Sequence, residues 1–261
     1  MTVLDEILEA TRAECVRLRR ELPADVGHRP RPVAPLLSRG PAAPLRLIAE
    51  FKRRSPSAGA LSTTLSIEER IAAYDDAGAT MISVLVDRTH FDGGYDDLSR
   101  ARRATDRPLL AKGFAIDEIQ IEAARRSGAD AILLIARILD DEALRGLAEA
   151  SKARELTPIV EVVDEAELAR AEALAVAVVG VNARDLATLQ FDRARAARVA
   201  ASIADERVAL WFSGLATADD VSVVARQTSP RRLDGALIGE TLMRQEDPRP
   251  LLSAMVAAAR G

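Results

Sequence analysis

The chain has 261 residues, which suits one large domain or two small ones, since α/β barrels reach this size as a single unit. A formal net charge of −4 supplies no general basic surface, so neither nucleic acid nor an anionic membrane is expected as a partner. The single cysteine, Cys15, excludes an internal disulfide and points to a reducing cytoplasm, and no apolar run approaches the ~20 residues that span a bilayer.

The first element, "LDEILEATRAECVRLRREL" at 4–22, has the spacing of one amphipathic helix and is too charged to be a signal peptide. It leads into "GHRPRPVAPLLSRGPAAP" at 27–44, a proline-rich linker. Residues 1–44 are therefore expected to form an N-terminal helical extension packed on the body of the protein, and 45–261 the body itself. From residue 45 the pattern repeats. Short aliphatic runs occur at 45–51, 80–87, 108–114, 130–136, 157–163, 177–183, 208–214 and 235–241. Most are continuously apolar, as parallel strands covered on both faces must be.

Helical segments alternate with these runs. Ser66 with Glu69 predicts a capping box, followed by Ile67, Ile71 and Tyr74 at helical spacing; Asp164 with Glu167 and Thr217 with Asp220 repeat the cue. Gly78 and Gly128 each stand where a helix must end and a strand begin, and glycine there supplies a left-handed terminal residue. Eight strand–helix units predict a (β/α)₈ TIM barrel, with a doubly wound open sheet as the runner-up. The first strand is followed by "KRRSPSAG", which is not the glycine fingerprint of a dinucleotide-binding sheet.

A barrel of this kind carries its chemistry at the C-terminal ends of its strands. Those ends hold Glu50 and Lys52, Asp87, Lys112, Glu161, Asn182 and Arg184, Ser213 and Gly214, and Gly239 and Glu240. Glu50, Lys112 and Glu161 sit within or directly after apolar residues, so their partners are expected to be each other. Amines and carboxylates sharing a water-poor mouth suit proton transfer, because burial and neighbours tune their proton affinities. The glycines of "FSGL" and "IGET" follow the last two strands, where barrels often bind phosphate. With only His28, His90 and Cys15 available, no zinc site is expected.

Several segments, in order, resemble indole-3-glycerol phosphate synthases: "IAEFKRRSPSAG", "SVLVDRTHFDGGYDDL", "AILLIARIL", "VGVNARDL" and "ALIGETLMR". The resemblance covers most of the chain, including the N-terminal helix. It implies a carboxy-lyase of tryptophan biosynthesis that converts 1-(2-carboxyphenylamino)-1-deoxyribulose 5-phosphate to indole-3-glycerol phosphate, without metal or organic cofactor. It implies Lys112 as the general acid for ring closure, Glu161 for later proton transfers and dehydration, and Lys52 with Glu50 to orient and polarise the substrate. Asn182 and Arg184 would hold the anthranilate end, and Phe91 would line an apolar floor. Arg54, Ser55, Ser213, Gly214, Gly239 and Glu240 would surround the phosphate. The expected partner is a phosphorylated small molecule, handled by a cytoplasmic monomer or weak homodimer.

Two departures stand near the mouth. The family usually reads Lys-Asp-Phe on the third strand and Glu-Ser-Gly on the seventh; here the segments are Lys112-Gly113-Phe114 and Phe212-Ser213-Gly214. Loss of anions beside a buried lysine favours the neutral amine. Phe212 either stacks on a substrate ring or fills a gap, and gap-filling is the preferred reading. The departures also admit two alternatives: a specialised paralogue acting on a related arylamino sugar phosphate, or a non-catalytic phosphosugar-binding homologue. Retention of Glu50, Lys52, Lys112, Glu161 and Asn182 argues against a pure binder.

Overall fold

Every predicted aliphatic run becomes a strand in the computed structural model of the protein: β1 (Arg46–Phe51), β2 (Met81–Leu85), β3 (Leu109–Lys112), β4 (Ala131–Ile135), β5 (Thr157–Val162), β6 (Val178–Asn182), β7 (Val208–Phe212) and β8 (Gly235–Ile238). The structure describes residues 2–40, 42–56, 59–62, 64–185, 190–227 and 232–261; Pro41, Ser57, Ala58 and Leu186 of the segments quoted above lie outside them. The strands pair in parallel and in chain order, and β1 pairs with both β2 and β8, which closes the barrel. Closure excludes the doubly wound open sheet.

After α1 (Val3–Arg20), one main helix follows each strand: α2 (Ile67–Asp76), α3 (Tyr95–Ala104), α4 (Glu118–Arg126), α5 (Asp141–Ala153), α6 (Glu165–Glu172), α7 (Arg193–Ala201), α8 (Ala218–Arg226) and α9 (Arg249–Ala258). Ser66 and Thr217 close the predicted capping boxes with Glu69 and Asp220, and Thr2 forms a third with Asp5. The box expected at Asp164 forms only by half. Asp164 accepts from the Glu167 N–H, but the Glu167 side chain turns away to the Val163 N–H at 2.8 Å and to Arg137. Gly78 and Gly128 take φ values of 91° and 92°, the left-handed ends that the sequence anticipated. Among the described residues no helix is long and apolar enough to cross a membrane.

Strand periodicity explains how charges reach the mouth. Side chains alternate between the barrel interior and the helix layer. Ile48, Leu110, Ile159 and Val178 belong to one buried apolar cluster, while Leu47, Leu109, Val160 and Val179 belong to another. Two residues beyond Ile48, Leu110 and Ile159 stand Glu50, Lys112 and Glu161; four beyond Val178 stands Asn182. Each polar group is thus the top step of an inward-facing apolar column.

The opposite end of the barrel is tied by two buried aspartates. Asp130 precedes β4 and accepts from Leu109 N at 2.9 Å and Arg31 N at 2.9 Å. Asp234 precedes β8 and accepts from Ala209 N at 2.9 Å and Arg39 N at 3.0 Å. Each carboxylate therefore joins a strand of the barrel to the proline-rich linker. His28 and Arg102 add further contacts to Asp130, at 2.9 and 3.3 Å. At the other end of the extension, α1 packs on α4 and places Val3, Leu4 and Ile7 at the barrel mouth.

Candidate active site

A cavity of about 530 Å³ opens at the C-terminal ends of the strands. Every site residue expected from the sequence lines it except Arg54. The segment "KRR" divides three ways. Lys52 faces the cavity. Arg53 turns aside, bonded to Asp97 at 2.6 and 2.7 Å and stacked 5.0 Å over Phe51. Arg54 is exposed on a two-residue strand paired with Gly59–Ala60. Of these three cations Lys52 alone lines the cavity, so Arg54, expected near the phosphate, stands outside it. Asp87 is also diverted: it caps the short helix Arg88–Phe91 by accepting from His90 N and Phe91 N.

The charged groups form two linked sets. Glu50 Oε1 accepts from Lys52 Nζ at 2.6 Å, and Glu50 Oε2 lies 3.7 Å from Lys112 Nζ. Burial alone would push the Glu50 carboxyl up, but Lys52 and Lys112 outweigh it and hold the group below its ordinary range. Glu50 therefore stands as the anion beside Lys112, which supplies the counter-charge missing at Gly113 and Phe212. In the second set, Asn182 Nδ2 donates to Glu161 Oε1 at 2.9 Å, and Arg184 N donates to Asn182 Oδ1 at 3.0 Å. Burial dominates at Glu161 and pushes its carboxyl up, against the opposing pull of Lys112 and Asn182. Glu161 Oε2 is buried and has no hydrogen-bond partner among the described residues. One carboxylate is thus held ionised and the other is prepared to keep a proton, across a shared lysine.

Gly239 makes the first set possible. A Cβ at this position would stand 2.2 Å from Glu50 Oε1 and 3.1 Å from Lys52 Nζ. The following Glu240 begins the short helix Glu240–Met243 and bridges two cations, Arg184 at 3.5 Å and Arg244 at 2.9 Å. The Arg184 guanidinium also lies 4.4 Å over the Phe191 ring. Where β7 ends, Ser213 and Gly214 take successive left-handed conformations, φ 70° and 79°. Serine is strained there, and Trp211 Nε1 holds the turn by donating to Ser213 O at 2.9 Å.

The two departures have local explanations. A Cβ at Gly113 would stand 2.9 Å from Val86 Cγ2, so a side chain here requires a stiff β-branched neighbour to shift. Phe212 is 1% exposed and packs in the interior cluster. Its ring occupies the space that a side chain at Gly180 would claim: a Cβ there would meet Phe212 Cε2 at 2.4 Å. Phe212 lines the cavity and fills the gap over Gly180. Residues that sequence reasoning passed over also line the cavity: Leu4 and Ile7 from α1, Phe191, Arg193 and Arg244. The apolar stripe of the first helix and the arginine one turn beyond Glu240 were the available signals.

The chain matches the family model for indole-3-glycerol phosphate synthase over residues 4–255. It is 39% identical over 274 residues to the indole-3-glycerol phosphate synthase of Kineococcus radiotolerans, covering 99% of this chain and 96% of the relative. It is 38% identical over 263 residues to that of Mycobacterium avium, covering 98% and 94%. Among solved structures, 3-hexulose-6-phosphate synthase from Salmonella typhimurium superposes with a TM-score of 0.62 at 12% identity, over 82% of this chain and 98% of that one. The tryptophan synthase alpha subunit from Legionella pneumophila gives 0.58 at 14% identity, over 82% and 92%. At such identities these two are similar in fold alone.

Proposed function

The chain belongs to the indole-3-glycerol phosphate synthase family, and we propose that the two linked charge sets at its mouth divide the labour of that reaction. The protein is a carboxy-lyase of tryptophan biosynthesis. It closes the indole ring of 1-(2-carboxyphenylamino)-1-deoxyribulose 5-phosphate, releasing carbon dioxide and water. Ring closure joins the ring carbon that bears the carboxylate to the sugar carbonyl carbon, and negative charge develops on the carbonyl oxygen. A proton donor must meet that charge. Lys112 fills this role, held by the permanent anion Glu50. Lys52 orients and polarises the substrate from the other side of Glu50.

After the carboxylate leaves as carbon dioxide, the new hydroxyl must depart as water and a proton must be removed. Glu161 serves both steps, because burial raises the proton affinity of its carboxyl above that of an ordinary glutamate. Asn182 fixes one of its oxygens and leaves the other open. Arg184 offers a fork suited to the substrate carboxylate. Phe91 supports the aromatic ring, 5.9 Å from Phe114. The phosphate is assigned to Ser55, Ser213, Gly214 and the start of the Glu240–Met243 helix, while Arg54, exposed outside the cavity, is left as a long-range attraction. The extension 1–44 and the barrel 45–261 act as one catalytic unit, since Leu4 and Ile7 help to wall the cavity. That unit is a cytoplasmic monomer or weak homodimer, consistent with a single buried cysteine and a cavity walled by one chain.

The observation that carries this division is the convergence on one cavity of Glu50 with Lys52 and Lys112 and of Glu161 with Asn182. The test is turnover of the carboxyphenylamino deoxyribulose phosphate, followed by the rise of indole absorbance. Purified protein that produces no indole absorbance would refute the assignment.

A further inference from the structure

Arg137 does not line the cavity, yet it joins the loops that carry half of the site. It lies in the 3₁₀ turn Ala136–Ile138, directly after β4. Its Nε is 2.5 Å from Glu167 Oε1, one terminal nitrogen is 2.6 Å from Asp185 Oδ2, and the other is 2.9 Å from Asp164 Oδ2. All three nitrogens of the guanidinium are engaged, each by a different carboxylate. This is also why the capping box at Asp164 stays half formed: Arg137 and the Val163 N–H claim the Glu167 side chain.

Each carboxylate is one step from a site residue. Glu167 Oε2 accepts from Val163 N at 2.8 Å, two residues beyond Glu161. Asp164 is the next residue and caps α6. Asp185 directly follows Arg184, whose N–H donates to Asn182. Asp185 has a second, longer partner in Arg195 at 3.9 Å. We propose that Arg137 is a positioning residue for the reaction: by clamping the segments after β5 and β6 to the end of β4, it sets the Glu161–Asn182 contact and the place of Arg184.

The physical argument is like-charge repulsion. Three carboxylates converge within reach of one cation, and without it they repel. The loops after β5 and β6 would then part, and misplacement by about 1 Å is enough to cost on the order of a hundredfold in rate. Arg137 has a second consequence for Glu161. The groups facing Glu161 are Lys112 from β3, Glu50 from β1, Asn182 from β6 and Glu167 from α6, and the Glu167 charge raises the proton affinity of Glu161. Arg137 neutralises Glu167 directly, so its loss should raise that affinity further.

The inference rests on the role assigned to Glu161, and wild-type turnover is measured alongside: its absence would overturn the assigned reaction itself. With wild type active, R137Q should lose on the order of a hundredfold in kcat/KM. The limb of its pH–rate profile that reports Glu161 should move to higher pH. The double variant R137Q/D185N should recover activity relative to R137Q, because one of the repelling charges is gone. R137K should keep the pH limb in place but lose part of the rate, since an ammonium cannot engage three carboxylates as a fork does. Should R137Q not fold, R137K carries the test. The inference is overturned by kcat/KM within twofold of wild type in the folded arginine variants. It is overturned equally by a loss in R137Q that comes with an unmoved pH limb and no recovery in R137Q/D185N.

Discussion

Gly180→Ala is a one-methyl change with a defined consequence. The added Cβ would stand 2.4 Å from Phe212 Cε2, 2.6 Å from Cζ and 3.1 Å from Cδ2. No compact side chain tolerates such separations, so the ring must move. It is buried among interior apolar residues, and the free direction is the cavity that it already lines. Overpacking of this kind costs about 1–3 kcal/mol, which for a chain of this size is a fall in Tm of roughly 2–10 °C. The displaced ring should also raise KM several-fold. Phe212→Leu removes the two ring atoms that come nearest and keeps only δ carbons. In that background Gly180→Ala should cost little, because alanine is otherwise easier than glycine to order in a strand by about 0.4–1 kcal/mol. Unfolding can be followed through Trp211, the single tryptophan, which adjoins Phe212 in sequence. The four proteins form a double-mutant cycle with an expected coupling of about 1–3 kcal/mol. A Gly180→Ala cost that is the same with phenylalanine and with leucine at 212 would refute the reasoning, since the ring would then not be what the methyl meets.

Other outcomes are expected from the same geometry. Lys112→Met should lower kcat by about 10²–10⁴-fold; unimpaired turnover in that variant would remove Lys112 as the acid. Glu161 keeps its proton to higher pH when folded than when unfolded, so between its ordinary value and its raised one the native state holds the extra proton. Stability from this group therefore falls as pH rises through that window and levels off above it. Glu161→Gln, which cannot titrate, should exceed wild type in urea stability at pH 8 and lose that advantage at pH 4; parallel curves would contradict the raised affinity. Asp130→Ala leaves a mostly buried Arg102 without its carboxylate and two backbone N–H groups without an acceptor. The expected cost is about 3–5 kcal/mol, seen as a Tm fall of roughly 6–15 °C with KM little changed.

The barrel was legible because its signals are local and repeated. Eight apolar runs, capped helices and the glycines at 78 and 128 each state one unit, and parallel closure follows from the number of units. The site was legible for a related reason: a charge that continues an inward-facing apolar column is conspicuous in one dimension. What sequence could not supply was direction. Lys52, Arg53 and Arg54 are adjacent cations, but strand alternation and a partner 44 residues away in Asp97 send them to three destinations. Likewise Glu167 reads as the third residue of a capping box, while Arg137, 30 residues earlier, claims its carboxylate. Nor does periodicity show that Leu4 and Ile7, in a helix far from the barrel strands in sequence, reach the barrel mouth.

The missing carboxylates at 113 and 212 can be judged by what remains around Lys112. A lysine that acts as an acid must reach neutral pH with its proton and give it up only when charge develops on the substrate. That requires one fixed anion close by and no surplus of them. Glu50 meets the first condition at 3.7 Å, kept ionised by Lys52 at 2.6 Å. Glu161 meets the second, because its burial makes it reluctant to become a further anion in the same space. An aspartate at 113 would add charge beside this balance and would have to displace Val86 to do so, and a glutamate at 212 would place a carboxylate where a ring now closes the floor over Gly180. On the proposed division of labour, the two departures remove anions from a mouth where Glu50 and Glu161 already supply the carboxylates beside Lys112.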